Sequence, residues 1–305
     1  MHVLQIIMLA PLLLTTASAS EEAQIAPDRL RIDHVVSSSV SGEDYRLFVS
    51  LPEAYSESSG DKYPVVYVLD IDSEYAQQLS NFHKVMAGLP NVPSFVLVGI
   101  GFSPDEEHIG LRTAHFSPTN IVAEDMRSFA GTISTIRERR NETPVTVEML
   151  NKWRSGRASE FSIVLRDELV PFIGQTYRIS GNNTVMGASL AGLFLTLELF
   201  TNPDSFDNYV ITSPSLWWQN FELLGDAEDR LIGRRDIDTR VYLSVGSLEN
   251  SDMLESYELL RSSFEERGHE NLEFSAEIIE NEDHISVIPV SYMNGLQYIF
   301  SATPN

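Results

Sequence analysis

Thr184-Val-Met186-Gly187-Ala-Ser189-Leu-Ala-Gly192-Leu193-Phe-Leu-Thr-Leu-Glu-Leu-Phe200 decides the fold of this chain. A short apolar run leads into a sharp turn carrying a serine, and a long apolar segment leaves it. This is the order strand, elbow, helix. Such a turn lifts the serine hydroxyl above the edge of a sheet, where a base can reach it. Small residues flank the serine because the strand and helix backbones pass close together there. The fifth position of the G-x-S-x-G pattern is Ala191, with Gly192 one residue later. Alanine is still small enough for that approach.

Outward from the elbow, the chain alternates between two kinds of segment. Leu30–Val36 and Tyr45–Leu51 are strand-like runs separated by Ser/Gly-rich turn residues, as in an antiparallel hairpin. Pro64–Leu69, Phe95–Gly99, Tyr209–Thr212 and Val241–Val245 are short, continuous apolar runs, expected of strands buried on both faces. Leu272–Ile279 alternates like an edge strand. Helices are predicted over Tyr75–Gly88, Leu254–Arg267 and Ile288–Phe300. Phe161, Val164, Leu165, Leu169, Phe172 and Ile173 also fall at helical spacing, but Pro171 should kink or break that helix. Strands alternating with helices imply an α/β fold, a mainly parallel, doubly wound sheet with an antiparallel hairpin at its start. Residues from about 120 to 160 fit this alternation least well. They are expected either to lie over the strand ends as a lid or to form a solvated helical excursion.

The 305 residues are 43% hydrophobic, enough for one large domain over 20–305. Lys+Arg number 21 against Asp+Glu 44, a net charge of −23 that disfavours nucleic acid as a partner. Residues 1–19 have the form of a signal peptide: an apolar core from Val3 to Thr16, then Ala17-Ser18-Ala19. The n-region departs from the pattern in carrying His2 but no Lys or Arg. The expectation is export, to a periplasm or to the medium, without stable membrane insertion, because the apolar run is too short to span comfortably. There is no cysteine, hence no disulfide and no thiol nucleophile. No metal-ligand pattern or dinucleotide fingerprint occurs, so neither metal nor cofactor is expected.

An activated serine needs a base, and the base needs an orienting acid. In this fold class the chain order is serine, acid, histidine. Downstream of Ser189 stand His269, in a helix-ending turn, and His284, in the loop after the last strand. His284 is the expected base. The upstream His115 could line the site. The acid should follow the Val241–Val245 strand, where Glu249 and Asp252 both qualify. Asp252 is also suited to cap the next helix, which favours Glu249. Two backbone N–H groups should stabilise the tetrahedral oxyanion: that of Leu190, and that of Ile71 or Asp72 after the Val65–Leu69 strand. Trp217 and Trp218 follow a strand and could form an indole wall for a bulky or aromatic acyl group, or could pack in the core. Arg112 could meet a substrate anion or hold a loop through an ion pair.

Several segments together carry a resemblance to a known family. They are Pro64-Val-Val-Tyr-Val-Leu-Asp70, Val98-Gly-Ile100, Arg112 with Phe116-Ser-Pro-Thr119, Glu168–Ile173, Gly187–Gly192, Ser213-Pro-Ser-Leu-Trp-Trp218, Val245-Gly-Ser-Leu-Glu249, and His284 with Gly295–Phe300. From about Ile32 to Phe300 the chain resembles the esterase family of α/β-hydrolases that includes siderophore (enterobactin-type) esterases, feruloyl and S-formylglutathione hydrolases and mycolyltransferases. The resemblance implies an α/β-hydrolase fold and serine carboxylester hydrolysis of a small-molecule ester by Ser189, Glu249 and His284. It also keeps open an acyltransferase, which would use the same triad with a hydroxyl acceptor. A non-catalytic binding protein on the same scaffold would have no need of serine, histidine and a placed carboxylate together.

Overall fold

The computed structural model describes residues 31–55, 60–103, 108–120, 154–218, 238–267 and 272–301, together with scattered positions between 130 and 149. The expected signal peptide, His269, and most of the expected lid, including Arg139 and Arg140, lie outside the described residues.

Eight strands form one sheet in the order β1-β2-β4-β3-β5-β6-β7-β8. β1 (Arg31–Ser37) and β2 (Asp44–Ser50) pair antiparallel, and β2 joins β4 (Val96–Ser103) antiparallel. The remaining pairs are parallel: β3 (Tyr63–Leu69), β5 (Ile179–Ala188), β6 (Asn208–Thr212), β7 (Thr239–Gly246) and β8 (Leu272–Ile279). This is the α/β-hydrolase fold, with the expected hairpin at its start.

The apolar runs of the parallel strands are continuous because both faces are covered. Along β3, Val65, Tyr67 and Leu69 enter one core cluster while Val66 and Val68 enter the other. The first cluster lies under α2 (His108–Phe116), α3 (Ala158–Val164), α5 (Leu190–Thr201) and α6 (Ser251–Arg267). The second lies under α1 (Ser73–Ala87) and α7 (Val287–Ile299). Each large side chain buried this way stabilises the fold by about 1.5–3 kcal/mol relative to exposure. α5 is buried nearly all round, and mostly apolar, because the sheet lies on one side of it and neighbouring helices on the other.

Pro171 does not break its helix. α3 runs into a π-helical segment, Leu165–Leu169, and continues as α4 (Val170–Thr176), with Val170 N–H bonded to the Leu165 carbonyl. The wider turn removes the need for an N–H at Pro171 and makes room for its ring, so the kink cost of a regular helix is avoided.

The strand order reverses between β3 and β5, since β3 leads to β4 on one side and β5 lies on the other. In open parallel sheets the crevice at such a switch point, at the carboxyl ends of the strands, is where ligands bind. The loops after β3 and β5 both open there.

Candidate active site

Ser189 stands at the end of β5 with φ 58° and ψ −120° and begins α5. A non-glycine residue held at positive φ is strained, by about 1–3 kcal/mol, and persists only where its surroundings hold it. The surroundings are tight. A Cβ at Gly187 would lie 3.0 Å from Ala191, and one at Gly192 would lie 3.1 Å from both Pro214 and the Thr212 carbonyl. Ser189 N–H donates to the Thr212 carbonyl at 3.1 Å, and Ser215 N–H returns a bond to the Ser189 carbonyl at 3.1 Å. Four of the five non-glycine residues with positive φ among the described residues follow strand ends at this face: Asp70 after β3, Ser189 after β5, Ser213 after β6 and Asn281 after β8. Backbone strain is therefore concentrated at the crevice.

Glu249 and His284 meet although they are 35 residues apart: Nδ1–H of His284 donates to Glu249 Oε2 at 2.7 Å. The donor must be the ring nitrogen, because a carboxylate only accepts. That bond leaves Nε2 as the basic atom. The Glu249 side chain is 1% exposed and that of His284 28%, so the carboxylate is sealed and the imidazole is reachable. Glu249 Oε1 accepts from the Ser213 hydroxyl and, at 3.5 Å, from Gly246 N–H. The loops that carry Glu249 and His284 are packed backbone to backbone. Leu248 N–H donates to the Glu282 carbonyl at 3.0 Å, and a Cβ at Gly246 would lie 2.3 Å from that same oxygen.

Ser189 Oγ is bonded to Ser215 Oγ at 3.3 Å rather than to His284. In unliganded sites the bond from nucleophile to base is often long or unformed and tightens with substrate present. Ser213 and Ser215 thus touch Glu249 and Ser189 respectively. The reading of single residues gave neither serine a role; the clue available to it was the position of Ser213-Pro-Ser215 directly after an apolar strand, the same place as the other site residues.

Asp252 is exposed in the first turn of α6 and accepts from Ser251 Oγ at 3.3 Å. The helix cap is Asn250, whose Oδ1 accepts from Met253 N–H at 3.0 Å, so Asp252 is neither cap nor partner of His284. Asp283, next to the histidine, accepts from the N–H groups of Ile285 and Ser286 at 3.0 Å each and so shapes the entry to α7.

Of the expected oxyanion donors, Leu190 N–H opens α5, where no intrahelical acceptor exists for it. Ile71 N–H is committed to the Ile100 carbonyl at 3.0 Å, which corrects the expectation that it could serve. The backbone of β4 takes that amide first. Asp72 N–H has no partner among the described residues.

The two tryptophans separate. Trp218 is 1% exposed inside the first core cluster, so it is not a substrate wall. Trp217 is half-buried beside it, packed against the same cluster, with ring centroids 6.0 Å apart. Arg112 is also reassigned. Its Nε and Nη2 grip the Asp70 carboxylate at 2.8 and 2.6 Å, the loop-holding alternative rather than the substrate one. Burial alone would raise the Asp70 carboxyl, but the Arg112 charge and the bonds from His108 and Arg112 hold it well below the usual carboxylate range. His115 is fully buried against Phe102, Tyr45 and Phe161 and does not line the site. Burial, with the charge of Arg157, pushes its pKa down to about 3. No cluster of metal-ligating side chains occurs among the described residues.

The model of the family described as "Putative esterase" matches residues 130–284. The chain belongs to this esterase family. Relatives agree along nearly the whole length. The chain is 28% identical over 281 residues to the ferri-bacillibactin esterase BesA of Bacillus subtilis, covering 87% of each. It is 26% identical to the siderophore enterobactin esterase of Emericella nidulans, over 84% of this chain and 89% of that one. Among solved structures it is similar to the BES protein from Bacillus cereus, at 29% identity and a TM-score of 0.72, covering 90% of this chain and 97% of the other. The chain is a carboxylic ester hydrolase.

Proposed function

We propose that the chain hydrolyses esters through an acyl-enzyme on Ser189, with His284 as base and Glu249 as its orienting acid, and that its substrates are bulky or aromatic, siderophore-like esters. The observation that carries the mechanism is the 2.7 Å bond between His284 Nδ1 and a sealed Glu249, set beside a serine strained at a strand end.

Ser189 Oγ exchanges its contact with Ser215 for one with His284 Nε2. It then attacks the ester carbonyl carbon while its proton passes to Nε2. The negative charge that develops on the carbonyl oxygen is met by the N–H groups of Leu190 and Asp72. Collapse breaks the bond to the alcohol oxygen, which takes the proton from the imidazolium, and the acyl group remains on Oγ. Water then attacks the acyl carbon and gives its proton to Nε2. The second collapse releases the carboxylic acid and returns the proton to Oγ. Glu249 keeps Nδ1 protonated throughout and stabilises the imidazolium in each half-reaction.

The substrate class is supported by the relatives' own substrates and by Trp217, which offers an indole face near the end of β6. Export follows from the form of residues 1–19, and 20–305 is read as one domain. The test is labelling by a fluorophosphonate probe together with kcat/KM for a catecholate and an acetyl ester. Wild type should label and should favour the catecholate ester; Ser189→Ala should lose both label and turnover. Labelling that survives in Ser189→Ala refutes the serine assignment. In Trp217→Ala the preference for the catecholate ester should fall by about tenfold, the worth of burying one large apolar side chain at its low end. An unchanged ratio removes Trp217 from the substrate site.

A further inference from the structure

The loop from β3 to α1 is three residues long, Asp70-Ile71-Asp72, and it is held at three points. Asp70 sits at φ 69°, and its carboxylate is gripped by Arg112 Nε at 2.8 Å and Nη2 at 2.6 Å. His108 Nε2–H completes the cluster with a bond of 3.0 Å to the same carboxylate. Both partners come from α2 and are at most 9% exposed. Next, Ile71 N–H is bonded to the Ile100 carbonyl, while the Ile71 carbonyl rests on Gly101 so closely that a Cβ there would lie 1.8 Å from its oxygen. Finally, Asp72 turns its side chain back to cap α1, accepting from Tyr75 N–H at 2.8 Å. Its own N–H is left facing no protein acceptor among the described residues.

We propose that the Asp70–Arg112–His108 cluster is a positioning device for ester hydrolysis: it fixes the loop so that Asp72 N–H points at the carbonyl oxygen of an ester held at Ser189. The proposal rests on the serine-esterase reading above. None of the three side chains is a catalytic residue; they act through the backbone of Asp72. A strained left-handed residue at the loop's first position relaxes unless something outside the loop opposes it, and here the opposing force comes from a part-buried two-point ion pair. Oxyanion stabilisation depends on donors that are already aimed before charge develops, so a loop free to drift loses rate without losing affinity for the ground state.

The experiment uses the full chain and p-nitrophenyl acetate, with active sites counted by fluorophosphonate titration run to completion. Asp70→Asn is close in shape and tolerates the same φ, so it removes the charge while leaving the backbone choice open. Gly101→Ala leaves the cluster intact but forces the Ile71 carbonyl away from β4. Both should lower kcat per titrated site by about 10²-fold with KM changed by less than about twofold, the pattern of a lost transition-state interaction. Arg112→Lys keeps the charge without the two-point grip and should fall between these and wild type. If the cluster were only structural, Asp70→Asn would lower the number of titratable sites and leave kcat per site at the wild-type value; that result overturns the positioning role. Turnover that persists in Ser189→Ala overturns the serine mechanism and this proposal together, so the two failures are distinct.

Discussion

Two carboxylates lie at the carboxyl edge of the same sheet, and each accepts a hydrogen bond from a histidine. Asp70, after β3, meets His108 at 3.0 Å; Glu249, after β7, meets His284 at 2.7 Å. Their remaining partners differ. Asp70 is locked by the permanent charge of Arg112, whereas Glu249 is held only by the neutral Ser213 hydroxyl and Gly246 N–H. A carboxylate neutralised by arginine has little field left for its histidine, and serves architecture. A carboxylate held by neutral donors keeps its full charge for the imidazole, and suits proton transfer. Exposure follows the same division: the His284 side chain is 28% exposed and that of His108 9%.

The largest expected effect tests the Glu249 half. In Glu249→Gln the amide can offer a donor where the carboxylate accepted, which turns the imidazole to the wrong tautomer. kcat should fall by about 10⁴-fold, while the thermal midpoint changes little. Asp252→Asn should stay near wild type. The reverse pattern in steady-state kinetics would move the acid to Asp252.

The next effect tests the Asp70 half, and it should appear in stability. Arg112→Met strands a carboxylate whose side chain is only 19% exposed and should cost about 3 kcal/mol, read by urea denaturation. A cost no larger than that of an exposed pair, under about 1 kcal/mol, would make Asp70–Arg112 a surface interaction and erase the contrast with Glu249.

Core packing sets a reference for both. Trp218→Ala should destabilise by about 3–5 kcal/mol, because an indole in the core leaves a cavity. Trp217→Ala, at a half-buried ring, should cost less than half as much by the same measurement. Equal losses would show that Trp217 is as much a core residue as Trp218.

The smallest effect is the shape of the pH–stability curve. Burial depresses His83 to about 4 and His115 to about 3. Below about pH 6.5 the unfolded imidazoles bind protons and the native ones do not, so stability should fall with pH down to those folded values. Asp70 is depressed as well; its contribution is present above about pH 4, the unfolded carboxyl value, and is lost as pH falls through the lower folded one. The two groups of residues therefore act in successive windows. His115→Phe should flatten the curve between about pH 6.5 and 4, and Arg112→Met should flatten it below about pH 4. A single limb, unchanged in both variants, would assign the acid sensitivity to other groups.

The elbow was legible because it is local. Gly187, Ser189, Ala191 and Gly192 lie within six residues, and their spacing states which backbones must pass close together. The strands were legible for a related reason. Two covered faces leave no polar alternation, so a continuous apolar run such as Val65–Leu69 reports burial on both sides. The π-helical turn at Leu165–Leu169 was not legible, because propensity describes regular helices and says nothing of how a wider turn accommodates Pro171.

By itself the sequence determined the doubly wound sheet, the serine at its strand end and the histidine after its last strand, since each depends on neighbours along the chain. Tertiary structure alone decided which carboxylate faces that histidine, which tryptophan is sealed, that Arg112 grips Asp70 across 42 residues, and that the Ile71 amide is taken by β4 while that of Asp72 is not. The physical reason is that hydrogen-bond partnership and burial are properties of distances between distant segments. Spacing along the chain limits which residues can reach the crevice, and only the folded loops determine which atoms meet there.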